Sequence, residues 1–267
     1  MKIGFVQFAP VLGDRKTTIE RAGILLEKAC DADLLVLPEL ADTGYNFSSR
    51  AEALKYSDTV DDNAFIGELR HFARLNDQYI VTGFCEREGD VLYNSAILLG
   101  PQGVVGRYRK LHLFMNEKDI FQPGNEGLPV FEIPGCRVGM LVCFDWEFPE
   151  VWRVLALRGA DIICHPSNLV LPGRCQSAIP VHALCNRVFI VTANRVGKER
   201  DLTFTGNSII SDTNGNIIAA ASADTAELMM VDINPEEARD KYITPRNDIF
   251  ADRRPDQYRD ICRDGAE

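Results

Sequence analysis

The stretch Ala32-Asp33-Leu34-Leu35 stands three residues before Pro38, and a similar stretch, Ala160-Asp161-Ile162-Ile163, stands three residues before Pro166. Three other pairs of segments match in the same order along the chain; they are residues 2–6 and 137–141, residues 79–82 and 189–192, and residues 94–97 and 207–210. One such match is weak evidence, because buried strands draw on few residue types. Four matches in one order indicate an internal duplication.

Short apolar runs alternate with helical patterns in both halves of the chain. In the first half, a strand pattern over residues 2–8 is followed by apolar residues at helical spacing over 19–29 and a second apolar run over 34–37. This order predicts an α/β fold. Two duplicated halves would form two mixed sheets, packed on each other with helices outside, which is a four-layer α-β-β-α sandwich with pseudo-twofold symmetry. We expect residues 1–267 to form a single domain.

Composition and charge narrow the class of protein. The 267 residues are 46% hydrophobic and 25% charged, which is typical of a globular domain and excludes disordered, collagen-like and coiled-coil chains. A net charge of −10 disfavours nucleic acid and anionic membranes as partners, because both repel an acidic surface. Residues 1–7 lack the apolar segment of a signal peptide, and no apolar run reaches the ~18 residues of a spanning helix. We therefore expect a cytoplasmic protein.

Eight cysteines raise the question of disulfides or a metal site. No two of them share C-x-x-C spacing, and the chain shows no sign of secretion, so neither a zinc ribbon nor a disulfide framework is favoured. His165, beside Cys164, lacks further partners for a zinc site. We expect most of the cysteines to be buried thiols and no metal to be bound.

Cys143 is the cysteine with the most suggestive position. It follows an apolar strand over residues 138–142 and precedes Pro149, which suits the first turn of a helix. At such a strand-to-helix turn the thiol projects from the end of the sheet, and the backbone N–H of Phe144 is free to donate to an oxyanion. A buried core cysteine is an equally good interpretation of this segment alone.

Glu39 and Lys110 favour the interpretation of Cys143 as a nucleophile over that of a core cysteine. Glu39 directly follows an apolar strand and a proline, where it is either a helix-starting carboxylate or a buried base. Lys110 lies between apolar neighbours, whereas the nearby Arg107 and Arg109 are typical of a solvated basic patch. A cysteine thiol is only a few per cent ionised at neutral pH, so a nucleophilic cysteine needs a base and a nearby cation. The combination predicts acyl transfer through a thioester.

Three motifs, in this order, resemble the nitrilase superfamily of carbon–nitrogen hydrolases. They are Leu37-Pro38-Glu39, Tyr108-Arg109-Lys110-Leu111-His112-Leu113 and the segment over residues 142–150. The resemblance covers nearly the whole chain and includes residues 247–255, which are similar to the family's C-terminal dimer-contacting segment. It implies an α-β-β-α fold and a homodimer or higher homo-oligomer, with residues 240–267 as a dimer-contacting tail.

The resemblance also implies a role for each residue of the reactive set. Cys143 would be the nucleophile, Glu39 the general base and Lys110 the oxyanion stabiliser. Glu117, seven residues after Lys110, would be the second carboxylate, which positions Lys110 and the substrate. The implied reaction converts a small-molecule amide to a carboxylate and ammonia, and it needs no cofactor.

Alternatives to amide hydrolysis stay open. Cys143-Phe144-Asp145 resembles amidases and small nitrilase-like proteins, whereas many nitrilases carry Trp-Glu after the cysteine and carbamoylases more often carry Asn-Asp. Nitrile or N-carbamoyl hydrolysis therefore ranks below amide hydrolysis. An acyltransferase that passes the thioester to an amine, or a non-catalytic binding protein of the same fold, is also possible.

Three residues are candidates for contacts with the substrate. Tyr45, Trp146 and Asn168 follow the three strands that carry the motifs, so we expect them to line the pocket. Loop packing or a dimer contact is the alternative for Trp146 and Tyr45.

Overall fold

A computed structural model describes residues 1–263; residues 264–267, the end of the predicted tail, lie outside the described residues. The first sheet has the strand order β14-β1-β2-β3-β4-β5. Its strands are β1 (Lys2–Gln7), β2 (Leu34–Val36), β3 (Tyr79–Glu88), β4 (Val91–Gly100), β5 (Gly103–Arg109) and β14 (Glu227–Asp232). The second sheet has the order β13-β12-β9-β8-β7-β6. Its strands are β6 (Val130–Ile133), β7 (Cys136–Met140), β8 (Ile162–Ser167), β9 (Phe189–Asn194), β12 (Ile209–Ser211) and β13 (Ile217–Ala220).

Helices and short ribbons complete the described chain. The helices are α1 (Arg15–Leu26), α2 (Arg50–Tyr56), α3 (Ala64–Asn76), α4 (Glu117–Ile120), α5 (Pro149–Leu157) and α6 (Arg174–Asn186). Short 3-10 turns cover Cys143–Glu147, Pro235–Ala238, Pro255–Gln257 and Arg259–Cys262. Two ribbons pair β10 (Lys198–Glu199) with β11 (Leu202–Thr203) and β15 (Tyr242–Thr244) with β16 (Asn247–Asp248).

The two six-stranded sheets share one topology. In each, three parallel strands lie at the centre, an antiparallel strand flanks the first of them, and two antiparallel strands follow the third. Strands β1, β2 and β3 thus correspond to β7, β8 and β9. The strand that flanks β1 comes from far along the chain, since β14 places Asp232 opposite Lys2. The predicted internal duplication and the pair of mixed sheets are confirmed.

Alternating side chains build the four layers. In β2, Leu34 and Val36 belong to the core shared with the second sheet, whereas Leu35 belongs to the core under α1 and α3. This alternation follows from the two-residue period of a strand. On the far side of the second sheet, Trp152 of α5 is fully buried, and burial of each large apolar side chain contributes roughly 2 kcal/mol. The helix–sheet–sheet–helix layering predicted from the repeats is confirmed.

Arg109 corrects the prediction of a solvated basic patch. Its side chain is buried and donates hydrogen bonds to the carboxylate of Glu86, which is itself buried. Its guanidinium also lies 3.7 Å from the ring centre of Tyr93. The prediction was wrong for Arg109 because its neutralising partner lies on β3, 23 residues away in the chain.

Most of the cysteines are buried thiols, as expected. All eight are free thiols, and five of them are buried. The exposed ones are Cys30, Cys185 and Cys262. Within residues 1–263, no helix is both long enough and apolar enough to cross a membrane.

Candidate active site

Cys143 lies just beyond the carboxyl end of β7, at the first residue of a 3-10 turn. Its backbone has a φ of 44°, in the left-handed region that residues with a side chain seldom occupy. Such a conformation costs roughly 1–2 kcal/mol and persists only where the surroundings enforce it. The turn that presents this thiol is therefore held by its neighbours.

Asp145 supplies much of that restraint. Its buried carboxylate accepts the backbone N–H of Val142 at 2.9 Å and the hydroxyl of Tyr108 at 2.7 Å through Oδ2. Through Oδ1 it accepts the backbone N–H of His112 at 3.1 Å and lies 2.8 Å from His112 Nδ1. The segment that carries Lys110 is thereby joined to the turn that carries Cys143.

His165 holds the same turn from the second sheet. Its Nε2 lies 2.8 Å from the carbonyl oxygen of Cys143, and its Nδ1 lies 3.1 Å from the hydroxyl oxygen of Thr192. Burial lowers the pKa of His165 to about 4. The ring is therefore neutral at pH 7, and Nε2 carries the hydrogen because a carbonyl oxygen can only accept.

Within residues 1–263, no three His, Cys, Asp or Glu side chains are arranged to hold a metal ion.

Glu39, Lys110 and Glu117 form a buried cluster beside Cys143. Lys110 Nζ lies 2.7 Å from Glu39 Oε1 and 2.8 Å from Glu117 Oε1. The three residues are 0%, 1% and 4% exposed, respectively. Burial acts to lower the pKa of Lys110, but the charges of Glu117 and Glu39 outweigh it and raise that pKa. Lys110 is therefore an ammonium ion, and charges so deeply buried require this kind of pairing.

Asn94 and Asn168 position Glu39. The side-chain amide of Asn94 donates to Glu39 Oε1 at 2.7 Å, and that of Asn168 donates to the Glu39 backbone oxygen at 2.9 Å. The other carboxylate oxygen, Oε2, is buried and has no hydrogen-bond partner within residues 1–263. A buried lone pair of this kind is available to a proton donor that enters the site.

Gly83 allows the Glu39 loop to lie directly against β3. The backbone N–H of Gly83 donates to the oxygen of Pro38, and its own oxygen accepts from Ala41, both at 3.0 Å. A Cβ atom at Gly83 would lie 2.4 Å from the Cα of Glu39 and 2.6 Å from the backbone nitrogen of Leu40. The absence of a side chain at this position thus helps to set where Glu39 lies.

Tyr45 links Glu117 to a second buried ion pair. Its hydroxyl donates to Glu117 Oε1 at 2.7 Å, and burial, with the charges of Glu117 and Glu39, raises its pKa so that it keeps its proton. Its backbone N–H donates at 2.8 Å to Glu199 Oε1, while Glu199 Oε2 accepts from Arg195 at 3.0 Å. The β10–β11 ribbon therefore holds the loop that carries Tyr45.

Cys143 is a neutral thiol at rest. Burial raises its pKa, and the charge of Glu39 raises it further. Lys110 and a hydrogen bond from the backbone N–H of Asn168 act in the opposite direction without reversing the shift. Attack by this sulfur therefore requires a base to take its proton as the new bond forms.

Two adjoining pockets open at the cluster. One is lined by Cys143, Trp146 and Asn168 among others. The second is lined by Tyr45 and Glu117 among others. The two share a border of Phe114 and Val170.

All of the side chains predicted for the site come together, but sequence reasoning missed several of their supports. The missed residues are Asn94, Asp145, His165 and Glu199. The sequence did mark Asn94, since this residue begins one of the repeated segments, but nothing marked it as a partner of Glu39. Asp145 lies within the Cys143 motif, yet nothing in the chain identified the donors that it binds.

The chain matches proteins of one family along most of its length. The family described as carbon-nitrogen hydrolase matches residues 2–242. A protein named nitrilase from Pyrococcus abyssi is 44% identical over 260 residues, which cover 97% of this chain and 99% of the relative. An (R)-stereoselective amidase from Pseudomonas sp. is 34% identical over 233 residues, which cover 84% of this chain and 82% of the relative.

A solved amidase has the same fold. The double mutant of the amidase from Nesterenkonia sp. AN1 in complex with acrylamide matches with a TM-score of 0.84 at 26% identity, over 98% of this chain and 97% of that chain. Another structure of that amidase shows covalent addition of the acetamide moiety of fluoroacetamide at the active site cysteine. The resemblance drawn from the three motifs is thereby confirmed. The chain belongs to the carbon-nitrogen hydrolase family, the nitrilase superfamily, and is an enzyme that acts on non-peptide C–N bonds.

Proposed function

We propose that the protein hydrolyses a small-molecule amide to a carboxylate and ammonia through a thioester on Cys143. The observation that carries the proposal is the buried Glu39–Lys110–Glu117 cluster beside a neutral thiol. It combines a base with a free oxygen, a fixed cation and a nucleophile, which are the groups that acyl transfer through a cysteine requires.

In the first half-reaction Cys143 Sγ attacks the amide carbon. Its proton passes to Glu39 Oε2, the oxygen without a partner within residues 1–263. The carbonyl oxygen becomes an oxyanion and accepts hydrogen bonds from the Lys110 ammonium and the Phe144 backbone N–H, each typically worth about 3 kcal/mol. The C–N bond then breaks, Glu39 returns the proton to the leaving nitrogen, and ammonia departs.

In the second half-reaction water attacks the thioester carbon. Glu39 takes a proton from that water, and the same two donors stabilise the second oxyanion. The C–S bond breaks, the thiolate regains the proton from Glu39, and the product acid ionises in water.

Glu117 fixes the cation in this scheme. It accepts from Lys110 at 2.8 Å and from Tyr45 at 2.7 Å, so the ammonium is held between two carboxylates. A lysine suits this place because its ammonium offers three donors, two of which bind Glu117 and Glu39 and leave one for the oxyanion.

Nitrile hydrolysis is the second candidate, because the relative from Pyrococcus abyssi carries the name nitrilase. The same thiol would attack the nitrile carbon. Amide hydrolysis is favoured by Phe144-Asp145 after the cysteine and by the amidase names of the solved neighbours. N-carbamoyl hydrolysis and transfer of the acyl group to an amine rank lower.

The test is ammonia release from a panel of small amides, nitriles and N-carbamoyl compounds, with intact-mass spectrometry to detect an acyl adduct. We expect release from amides and an adduct on the wild type, both lost in Cys143→Ala. Cys30→Ala, which removes an exposed thiol elsewhere, is the matched control and should keep full activity. Release from nitriles alone would select the second candidate. No release and no adduct from any compound would refute hydrolysis, and amide products formed only with added amines would indicate a transferase.

We also propose that residues 240–267 contact a second copy of the chain. In the described part of this tail, Tyr242, Ile243 and Ile261 are apolar side chains exposed to solvent, a pattern that marks interaction surfaces when it is contiguous. Sedimentation should show a dimer or larger species at micromolar concentration. A stable monomer there would refute the proposal.

A further inference from the structure

The pocket beside Cys143 has an apolar wall. Its six large apolar side chains are Phe114, Phe144, Trp146, Leu169, Val170 and Leu171. Phe114 and Phe144 contact each other, with ring centres 5.0 Å apart, so part of this wall is an aromatic pair. Three of the six residues are consecutive in the loop that follows β8, directly after Asn168.

None of the described residues that line this pocket carries a charge at rest. The remaining three are Cys143, Asn168 and Cys175. Burial raises the pKa of both thiols, so both are neutral. Three charged residues adjoin the lining in sequence. Glu147 and Arg174 approach each other to 4.0 Å and are exposed, whereas Asp145 is buried and accepts from Val142, Tyr108 and His112.

The adjoining pocket is acidic. Its lining includes Glu117 and Asp201. Glu117 accepts hydrogen bonds from Lys110 and Tyr45. Asp201 accepts a hydrogen bond from the side chain of Asn46 at 2.7 Å. Among residues 1–263, no lysine or arginine lines either pocket, and the ammonium of Lys110 at the cluster is already paired with Glu39 and Glu117. An anionic substituent on the acyl group would therefore meet no lining cation in one pocket, and Glu117 and Asp201 in the other.

From this charge distribution we propose that the enzyme selects amides whose acyl group is uncharged and apolar, and that this group lies in the pocket lined by Phe114, Phe144 and Leu171. The inference rests on the proposed function and narrows its substrate class. An apolar pocket gains about fourfold in binding for each methylene that it buries. The same pocket disfavours a charge, because nothing in it replaces the water that the charge loses.

The experiment compares kcat/KM for ammonia release from matched amides. Butanamide, pentanamide and hexanamide test the gain for each methylene, expected to be about fourfold until the pocket is full. Heptanamide, 6-aminohexanamide and adipic acid monoamide test charge at nearly constant length. We expect heptanamide to exceed the anionic amide by about 100-fold or more, with the cationic amide between them.

A charge-introducing variant tests the location of the acyl group. Leu171 is 41% exposed, so a lysine at this position can reach water and does not disturb the core. Leu171→Lys should reduce the preference for heptanamide over adipic acid monoamide by about tenfold. Leu75→Lys, at a 72% exposed position of α3, is the matched control and should leave the preference unchanged.

The outcomes separate this inference from the proposed function. Equal kcat/KM for charged and apolar amides, or a preference for either charged amide, would overturn the inference while Cys143-dependent hydrolysis stands. An unchanged preference in Leu171→Lys would overturn the assigned location. Failure to release ammonia from every amide would overturn the proposed function, and the inference with it.

Discussion

The imidazole Nε2 of His165 lies 2.8 Å from the backbone carbonyl oxygen of Cys143. This contact joins the turn after β7 to the neighbouring strand β8, at the residue that carries the reactive thiol. The ring beside it is neutral at pH 7, because burial lowers the pKa of His165 to about 4. The pH dependence of stability should therefore report the burial of this ring.

We expect acid to destabilise the protein through His165. The pKa rises from about 4 in the folded chain to its ordinary value of 6.5 on unfolding, so between these values the unfolded chain binds the extra proton. The neutral ring contributes about 3 kcal/mol to the free energy of unfolding above pH 6.5, and this contribution is lost as the pH falls towards 4. Denaturant unfolding at several pH values would measure it.

The controls for this prediction are two glutamine variants. His165→Gln keeps a hydrogen-bond donor but cannot titrate, so its unfolding free energy should fall less between pH 6.5 and pH 4 than that of the wild type. His71→Gln changes an exposed histidine of α3 and should reproduce the wild-type profile. Identical profiles for all three proteins would contradict the prediction.

Glu39→Gln should abolish most of the activity and preserve the fold. The amide oxygen can still accept from Asn94 and Lys110, but the side chain cannot take the proton of Cys143. We expect kcat/KM for ammonia release to fall by about 10²–10⁴-fold. Glu132→Gln, at an exposed position of β6, should keep wild-type activity. A Glu39→Gln variant as active as the wild type would exclude Glu39 as the base.

Asp145→Asn should destabilise the protein by about 3 kcal/mol. An amide group presents hydrogens where the carboxylate now accepts from Val142, Tyr108 and His112, so at least one buried donor loses its partner. Tyr108→Phe removes one of these donors together with its need for an acceptor and should be milder, about 1 kcal/mol. Denaturant unfolding distinguishes the two, and equal stability of Asp145→Asn and wild type would contradict the prediction.

Gly83→Ala should displace the Glu39 loop. The added methyl group would lie 2.4 Å from the Cα of Glu39, and relief of such a contact typically costs about 1–3 kcal/mol. Both unfolding free energy and kcat/KM should decrease. Gly67→Ala is the matched control, because within residues 1–263 no atom outside its chain neighbours and the backbone of α3 lies within 4 Å of the added group, and it should stabilise the helix by about 0.5–1 kcal/mol. Full activity of Gly83→Ala would show that the loop tolerates the displacement.

Local pattern was sufficient to predict the architecture. The repeated segments predicted the two mixed sheets and their layering, because each buried strand carries its apolar pattern in four to seven consecutive residues, and Pro149 does begin α5. The strand order, with β14 beside β1, was not predicted. Glu39 and Cys143 were singled out because each directly follows such a strand, and Lys110 because it lies between apolar neighbours; the resemblance then implied their roles. These features depend on neighbours in the sequence.

Long-range pairing could not be predicted in the same way. Arg109 and Arg107 look alike in the chain, yet only Arg109 is buried, against a glutamate on another strand. The hydroxyl that binds Asp145 is 37 residues away, and the carboxylate that binds Asn94 is 55 residues away. Such hydrogen-bond partners are distant in the sequence and come together only when the chain folds. A local sequence pattern therefore cannot identify them.

The position of β14 has a consequence for how the protein is made. A ribosome delivers β1 first, but the strand that covers its outer edge ends at Asp232, opposite Lys2. Until then the nascent N-terminal half carries an unprotected strand edge along β1. Contacts across so many residues slow folding and expose such edges to aggregation. The enzyme should therefore acquire its native structure only after β14 has been made, and fragments that stop before Glu227 should aggregate.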